Sequence, residues 1–512
     1  MGVFSERFEA LDHVIDEHLD KSSIPGIAIG IVNRDGIMLY EKYHGLIDIK
    51  QGIAPERNAI FRLASISKTL TTVGLLQQWE LGKFQIDDPV NNYLPKGKIV
   101  VKPGWPEVSF GHLLTHRSGI GEIIRKRDAF KPGFGLLVTG RDTPIPSLST
   151  IHDRDLRPEV PAGTKYSYSN IGFSILGYVI EQLSGESFRD YMVNHVLDPA
   201  GMTHSDFIPS DRLGKIEAIG YKKSLGRQVP AKYYQNIIMP AGNLYSCIGD
   251  MAKYAATLLD GGRLPSAEQL LKPETLEMAW TPQYWAHDAL KDDASIGFCF
   301  HLYRINGTRV VEHTGATSGF TSCISLVPSE QFAVLVFSNH DEIFGKRQTL
   351  RLKRAILTRL CSAGLQETRD TTSIQLNRDL AKKILGYYGP NPGILTNTRV
   401  IAYLGGDFRI GAKNDKLFLS SLYGRNRKGR ELKPLPSGDA FQIEVKADED
   451  EEPEHVAFMN DENSNITGMA IDLLKFRKNP LVNTLRFKIY LAVLIGFIIL
   501  FSFLFLVILK SW

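Results

Sequence analysis

Apolar residues recur with two different periods along the first eighty positions. Over residues 8–19 they stand three and four positions apart, which predicts an amphipathic helix. Two short apolar runs follow, at 27–32 and 37–43, and the turn sequence Asn-Arg-Asp-Gly between them predicts a β-hairpin. From 66 to 81 no helix breaker occurs before a glycine, which predicts a second helix.

The middle of the chain favours helices and the part after it favours strands. Helical segments are predicted at 170–183 and 250–259, each ended by glycine. Strand-like runs follow at 297–303, 309–312, 321–327 and 332–338. Because helices lie between an early hairpin and late strands, the pattern predicts an α+β domain whose antiparallel sheet takes strands from both ends.

The pattern changes after about residue 365. Residues 366–379 are polar and indicate a linker between a first domain, 1–365, and a second, 380–479. In the second domain short apolar runs at 400–404, 417–419, 441–445 and 455–458 are separated by Gly, Asn and Asp. Such runs predict a small β-barrel or sandwich.

Composition limits the class of protein. The 512 residues are 43% hydrophobic and 23% charged, which is typical of a globular chain of several domains. A net charge of +4 is too small for nucleic acid to be the main partner. The mean hydropathy of −0.12 is near neutral, but it hides an uneven distribution.

Residues 489–509, within a segment 487–510, are apolar and free of charge. Twenty-one helical residues span about 31 Å, so the segment predicts a C-terminal membrane helix and a lipid bilayer as partner. The basic residues before it outnumber the single Lys510 beyond it, which places the body on the cytoplasmic side. These five basic residues are Lys475, Arg477, Lys478, Arg486 and Lys488.

The start of the chain and the cysteines both fit the expectation that the body lies in the cytoplasm. Acidic residues interrupt the first nineteen positions, where a signal peptide needs an unbroken apolar run. The four cysteines stand far apart with no paired spacing, so neither a zinc site nor a disulfide framework is expected. No metal or cofactor is predicted.

Three short motifs carry residues suited to acyl transfer. In the first, Ser65 and Lys68 stand three apart at the start of a predicted helix, so both lie on one face. An unactivated serine hydroxyl needs a neighbour that takes its proton, and a lysine can do so. This spacing alone is weak evidence, because it arises by chance in most long chains.

The second motif is Tyr168-Ser169-Asn170, at the mouth of the helix predicted from 170. The tyrosine can shuttle a proton, and the asparagine amide can hold a substrate carbonyl. A second Tyr-x-Asn, at 234–236, lacks both the Pro-x-Gly that precedes the first one at 161–163 and the amphipathic helix that follows it at 170–183. The third motif, His313-Thr314-Gly315, is expected at a strand end, where small residues let a backbone N–H reach an oxyanion.

The three motifs in this order resemble the serine β-lactamase and penicillin-binding protein superfamily, above all its class C β-lactamase-like branch of D-aminopeptidases, alkaline D-peptidases and carboxylesterases. The stretches LLTHRSG at 113–119, MPAGNLYSCIGDMAKYAATLL at 239–259 and VLVFSN at 334–339 are similar to the same family. Residues 380–478 resemble the lipocalin-like β-domain appended to some of these hydrolases. The implied fold is an antiparallel sheet flanked by helices with an all-α subdomain.

The resemblance also implies a role for each motif residue. Ser65 is the expected nucleophile, Lys68 helps to deprotonate it, and Tyr168 acts as general base and acid. Asn170, His313, Thr314, Gly315 and Ala316 are expected to bind a small-molecule or peptide substrate. The resemblance also implies that the backbone N–H groups of Ser65 and Ala316 form the oxyanion hole.

The expected activity is cleavage of an amide or ester bond through an acyl-enzyme, and several alternatives remain. His313 replaces the lysine of true β-lactamases, which favours a peptidase or esterase over a β-lactamase or D,D-carboxypeptidase. A non-catalytic binding protein on the same fold is a second alternative, and an α/β-hydrolase is a third, although no Gly-x-Ser-x-Gly occurs. The natural substrate, the preferred residue configuration and the oligomeric state stay open.

Overall fold

The protein is described by a computed structural model that covers residues 2–122, 131–342, 347–361, 378–390, 407–414, 416–421, 426–435, 440–443, 454–481 and 484. These residues form two compact units. The first unit takes the described residues up to Trp285 and those from Lys291 to 361. The second unit takes Ala286–Leu290 and the described residues from 378 onward.

Helices form a large part of the first unit. They are α1 (Gly2–Asp20), α2 (Ser67–Glu80), α3 (Phe110–Leu114), α4 (Leu148–Ile151), α5 (Asn170–Ser184), α6 (Phe188–Met192), α7 (Met239–Gly242), α8 (Ile248–Leu259), α9 (Pro273–Trp280) and α10 (Gln348–Leu360). The helices predicted at 66–81, 170–183 and 250–259 correspond to α2, α5 and α8. The helix predicted at 8–19 lies within α1.

Strands of the first unit form one large sheet and three small ribbons. They are β1 (Gly26–Asn33), β2 (Met38–Gly45), β3 (Phe61–Ala64), β4 (Leu137–Thr139), β5 (Tyr221–Ser224), β6 (Arg227–Pro230), β7 (Tyr234–Asn236), β8 (Leu244–Ser246), β9 (Tyr284–Trp285), β10 (Ser295–Ile296), β11 (His301–Ile305), β12 (Thr308–Thr317), β13 (Phe320–Val327) and β14 (Phe332–Ser338). The ribbons pair β3 with β8, β4 with β7 and β5 with β6.

The large sheet is antiparallel in the order β2-β1-β14-β13-β12-β11-β10-β9. The N-terminal hairpin therefore pairs with the late strands, with Ile29 opposite Val336 in the register of β1 and β14. The α+β class and the sheet assembled from both ends of the domain are confirmed. This order sets β12 next to β13, the strand pair that carries the third motif.

The sheet is buried on both faces. Along β1, Ile27, Ile29 and Ile31 join an apolar cluster with side chains of α1 and α10. The alternating residues Ala28 and Val32 join the main core on the other face, together with side chains of α2, α5 and α8. Strand side chains alternate between faces, so an uninterrupted apolar run is what a central strand covered on both sides requires.

The strand predicted at 297–303 is wrong in its first half. Strand β10 ends at Ile296 and β11 begins at His301, and the N–H of Gly297 donates to the carbonyl of Phe300 in a tight turn. Cys299 adopts a left-handed backbone with φ of 77°. The turn is apolar because it is buried, so its composition resembles that of a strand.

The second unit contains a closed barrel. Helix α11 (Arg378–Ile384) precedes its strands, which are β15 (Gly386–Pro390), β16 (Phe408–Lys413), β17 (Lys416–Ser421), β18 (Arg430–Pro434), β19 (Ala440–Ile443), β20 (His455–Asn460), β21 (Ile466–Ile471) and β22 (Leu474–Asn479). The predicted barrel is confirmed. The runs at 417–419 and 455–458 lie in β17 and β20, and that at 441–445 lies in β19 as far as 443. The run at 400–404 lies outside the described residues.

Aromatic side chains fill the interior of the barrel. Phe408 meets Phe476 edge to face at 5.2 Å, and Phe458 lies 5.6 Å from Phe441 and 5.9 Å from Tyr388, measured between ring centroids. These side chains belong to one buried apolar cluster. An eight-stranded barrel is just wide enough for its own side chains to fill it, as they do here.

The predicted membrane span at 489–509 lies outside the described residues. In the part of the chain that the structure describes, no helix combines the length and the apolar character needed to cross a bilayer.

Candidate active site

A tight turn presents Ser65 between β3 and α2. Ala64, the last residue of β3, has a left-handed backbone with φ of 48°, which is unusual for a residue with a side chain. The hydroxyl of Ser67 holds this turn, because it donates to the Ala64 carbonyl at 2.6 Å and accepts from the Leu244 N–H at 2.9 Å. Such strained backbone persists where its surroundings hold it, often at functional sites.

Lys68 lies one helical turn after Ser65, as its spacing predicted. Its Nζ donates to Ser65 Oγ at 3.0 Å and also to the carbonyl of Ala241 in α7. The lysine is fully buried, and its Nζ lies 4.9 Å from the ring centre of Tyr168 and 5.7 Å from that of Phe173. These contacts fix the amine against the serine hydroxyl.

Tyr168 reaches the same oxygen from a different element. Its hydroxyl donates to Ser65 Oγ at 2.9 Å, although the two residues are 103 positions apart. The next residue, Ser169, caps α5, since its hydroxyl accepts from the Gly172 N–H at 3.1 Å. The helix start therefore fixes the backbone that carries the tyrosine.

Asn170 opens α5 and is held by a buried carboxylate. Glu122 accepts the backbone N–H of Asn170 at 2.7 Å and its side-chain Nδ2 at 2.9 Å. A carboxylate at the first turn of a helix also suits the positive end of the helix dipole. The amide plane of Asn170 is thus set before any substrate arrives.

The third motif lies inside β12 rather than at a strand end, which corrects the expectation from the sequence. Gly315 is packed against β3, because a Cβ placed on it would lie 2.1 Å from the carbonyl oxygen of Leu63. Ser322, opposite Gly315 on β13, donates its hydroxyl to the same carbonyl at 2.9 Å. The missing side chain lets β12 approach the strand that leads to Ser65, and the next residue, Ala316, is exposed.

His313 is buried and uncharged. Its Nδ1 donates to the carbonyl of Thr314 at 2.8 Å, and its Nε2 has no hydrogen-bond partner among the described residues. Burial, together with electrostatic interactions with His301 and Lys68, lowers the pKa of His313 well below its usual value. The ring therefore supplies no positive charge to a substrate.

The structure brings Lys68 Nζ and Tyr168 Oη each within hydrogen-bonding distance of Ser65 Oγ. Asn170 stands two positions after Tyr168, at the first position of α5, and Gly315 lies against the strand that leads to Ser65. The second Tyr-x-Asn forms β7, where Asn236 accepts the Ile238 N–H in a local turn.

Four further residues of the site have no role in the sequence prediction: Ser67, His116, Glu122 and Ala241. His116 and Ala241 lie in the stretches at 113–119 and 239–259. These stretches supported the family resemblance, but they assigned no role to either residue. Glu122 follows the first of these stretches by three positions.

The cysteines are buried thiols outside this group. Burial raises the pKa of Cys247 and Cys299 to about 12 and also raises that of Cys323. A thiol needs its thiolate form to act as a nucleophile, so these groups are inert. Within the described ranges no group of three or more His, Cys, Asp or Glu side chains is arranged to hold a metal ion.

Solved structures show that the fold is shared. A penicillin-binding protein homologue from Pyrococcus abyssi, described as octameric, superposes with a TM-score of 0.58 at 22% identity. The alignment covers 92% of this chain and all of that one. A structure of SurE with D-Leu superposes with a TM-score of 0.59 at 18% identity, covering 93% of this chain and all of that one.

Sequence relatives and a family model agree with this fold. The putative penicillin-binding protein PbpX of Bacillus subtilis is 28% identical over 64% of this chain and 73% of its own length. Protein flp of Staphylococcus aureus is 24% identical over 65% of this chain, which spans 63% of flp and thus less than two thirds of it. The Beta-lactamase family model matches residues 11–358, more than half of the chain. The chain therefore belongs to the beta-lactamase family and is a serine hydrolase of the kind that acts on amide bonds.

Proposed function

We propose that Ser65 is the nucleophile of an acyl transfer that cleaves an amide or ester bond. The observation that carries this proposal is that Ser65 Oγ receives hydrogen bonds from both Lys68 Nζ and Tyr168 Oη, at 3.0 and 2.9 Å. Both groups can exchange protons with the Ser65 hydroxyl, which must lose a proton when it attacks the substrate and regain one when the acyl-enzyme is hydrolysed.

The proposed reaction has two halves. In the first, the Lys68–Tyr168 pair holds one proton fewer than its fully protonated form. Ser65 Oγ bonds to the carbonyl carbon, its proton passes to the pair, and the pair gives a proton to the leaving nitrogen or oxygen as the bond between that atom and the carbonyl carbon breaks. In the second, a water bonds to the acyl carbon and gives a proton to the same pair, and the pair returns a proton to Ser65 Oγ as the bond between Oγ and the acyl carbon breaks. The proton count balances within the pair.

The oxyanion is assigned to the backbone N–H groups of Ser65 and Ala316. The close packing of Gly315 on Leu63 supports this assignment, because it brings β12 to the turn of the nucleophile. Donors fixed before the reaction stabilise the developing charge without reorganising, and removal of one typically costs about 10²–10³ in rate. Asn170, oriented by Glu122, is proposed to bind the substrate amide.

The substrate class follows from the neutral His313. A substrate carboxylate next to the scissile bond would require a cation in the third motif, and a buried, uncharged imidazole does not provide one. We therefore favour a peptide or ester without a carboxylate at that position over a β-lactam or a D,D-carboxypeptidase substrate. A preference for D-residues is also worth testing, because the structure of SurE with D-Leu has a similar fold.

Active-site labelling tests the nucleophile. A fluorophosphonate probe should label the full chain in detergent and should not label Ser65→Ala. Ser266→Ala, at an exposed serine in the loop after α8, is the control that keeps the label. Full labelling of Ser65→Ala would refute the assignment. No labelling of the wild type would instead favour the alternative, a non-catalytic binding protein on this fold.

A substrate panel tests the class. p-Nitrophenyl esters and D- and L-amino-acid anilides are compared with nitrocefin, in wild type and in His313→Lys. We expect turnover of esters or anilides and little of nitrocefin in the wild type, with nitrocefin acylation raised in His313→Lys. Rapid hydrolysis of nitrocefin by the wild type would overturn the substrate class and leave the nucleophile intact.

We also propose that residues 489–509 tether the enzyme to a membrane with its body in the cytoplasm. The uncharged length of the segment and the basic residues that precede it support this proposal. Proteinase added to intact cells should leave the body uncut, and detergent should expose it. Cleavage from outside would contradict the cytoplasmic side, and release of the full chain by carbonate would contradict the span.

A further inference from the structure

The ring of His116 packs against the ring of Tyr168 in a tilted arrangement. Their centroids are 4.1 Å apart and their planes differ by 31°. His116 is only 1% exposed, and Phe173 covers it at 5.1 Å between centroids. A ring packed in this way limits the rotation of the tyrosine that approaches Ser65.

His116 also binds the backbone on both sides of Tyr168. Its carbonyl accepts the N–H of Ser167 at 2.7 Å, and its Nδ1 accepts the N–H of Ser169 at 3.1 Å. Because a backbone N–H only donates, Nδ1 carries the lone pair in this bond. One residue therefore contacts the ring of Tyr168 and both of its chain neighbours.

The backbone of His116 is itself held in an unusual conformation. Its φ of 56° lies in the left-handed region, just after α3 ends. Next to it, Arg117 donates its N–H to the His112 carbonyl at 2.7 Å and accepts the N–H of Gly163 at 2.8 Å. These bonds tie the segment after α3 to the chain that leads to Tyr168, so the strain is retained by the surrounding structure.

We propose that His116 is a positioning residue that holds the hydroxyl of Tyr168 at Ser65. It acts through the ring contact and through the two hydrogen bonds that flank the tyrosine. The inference rests on the proposed function, in which Tyr168 transfers a proton to and from Ser65. Its consequence is that the proton transfer, rather than substrate binding, depends on His116.

Substitutions separate the parts of this contact. Asparagine tolerates the left-handed backbone and keeps a side-chain oxygen near the position of Nδ1, but it has no ring. Phenylalanine keeps a ring and removes the acceptor. We expect His116→Asn and His116→Phe each to lower the acylation rate about 10- to 100-fold, as a misplacement of about 1 Å does, with little change in KM.

A double-mutant cycle with Tyr168→Phe tests whether His116 acts through the tyrosine. The acylation rate of Ser65 by a fluorophosphonate or a p-nitrophenyl ester is measured in the full chain for the wild type, both single variants and the double variant. If His116 only positions Tyr168, His116→Asn has no further effect once the hydroxyl is gone. The melting temperature, measured in parallel, confirms that each variant is folded.

The outcomes distinguish this inference from the proposed function. If the wild type is not labelled at Ser65, or if Tyr168→Phe keeps the full rate, the proposed function fails and the inference fails with it. If Tyr168→Phe is slow but His116→Asn lowers its rate by the same factor as in the wild type, only the inference is overturned. Should His116→Asn be unfolded, the same cycle is run with His116→Phe, and additive effects there overturn the inference equally.

Discussion

Glu122 binds Asn170 through both the backbone and the side chain of that residue. One carboxylate oxygen accepts the N–H at 2.7 Å and the other accepts Nδ2 at 2.9 Å. The carboxylate is 4% exposed, so water does not replace either bond. The start of α5 and the orientation of the Asn170 amide therefore depend on one side chain.

Glu122→Gln tests that dependence. The glutamine keeps the shape but offers one acceptor to two donors, so one N–H of Asn170 loses its partner. We expect a loss of about 1–3 kcal/mol in the free energy of unfolding and a raised KM. Thermal unfolding and steady-state kinetics measure both effects. A variant that keeps the wild-type KM would contradict the orienting role.

Gly315→Ala tests the approach of β12 to the nucleophile. The added Cβ would lie 2.1 Å from the Leu63 carbonyl oxygen, so the strand must shift. We expect the acylation rate to fall about 10²-fold or more, because the oxyanion donor moves with the strand. Gly214→Ala is the matched control, since its nearest new contact is an ordinary 3.5 Å. Equal rates for both variants would argue against a backbone donor on β12.

A buried ion pair behind the site is expected to contribute to stability alone. Lys353 of α10 lies 2.9 Å from Glu312, whose Oε2 also accepts from Tyr303 and Ser325 at 2.6 Å. Lys353→Met leaves the carboxylate buried without its cation, which costs about 3–5 kcal/mol of unfolding free energy.

The double variant Glu312→Gln with Lys353→Met removes both charges and is expected to cost less than Lys353→Met alone. Thermal unfolding measures each variant, and the acylation rate per folded molecule should not change. If the double variant is the least stable of the set, the unpaired carboxylate of Glu312 is not the cause of the stability lost in Lys353→Met.

The pH dependence of stability should carry the signature of a buried histidine. Burial lowers the pKa of His152 to about 4, while its Nε2 contacts the Ser174 hydroxyl at 2.8 Å. In the unfolded chain its pKa is near 6.5. Between pH 6.5 and 4 the unfolded state therefore binds a proton that the native state does not. His152 alone should therefore lower the unfolding free energy by about 1.4 kcal/mol for each pH unit that the pH falls in this range.

Urea denaturation at several pH values checks this slope. His152→Gln should reduce it, although the lowered pKa of His313 contributes a slope of its own. An unchanged slope in His152→Gln would contradict the prediction.

Contacts between near neighbours could be derived from the sequence. Ser65 and Lys68 meet because they stand three positions apart in the turn that starts α2, where the Lys68 N–H donates to the Ser65 carbonyl. The sheet was also predictable, because long apolar runs such as those of β1 and β14 require cover on both faces. The turn at 297–300 misled the prediction, since buried turns and strands share an apolar composition.

Contacts between distant segments were decided only by the tertiary structure. Tyr168 reaches Ser65 across 103 positions, and His116 and Glu122 reach the start of α5 across 53 and 48. No local periodicity encodes such meetings, because they depend on how whole elements pack. The uncharged state of His313 is likewise a product of folding, since burial rather than residue type lowers its pKa. The sequence by itself determined which residues have suitable chemistry, and the packing of the elements decided which of them act together.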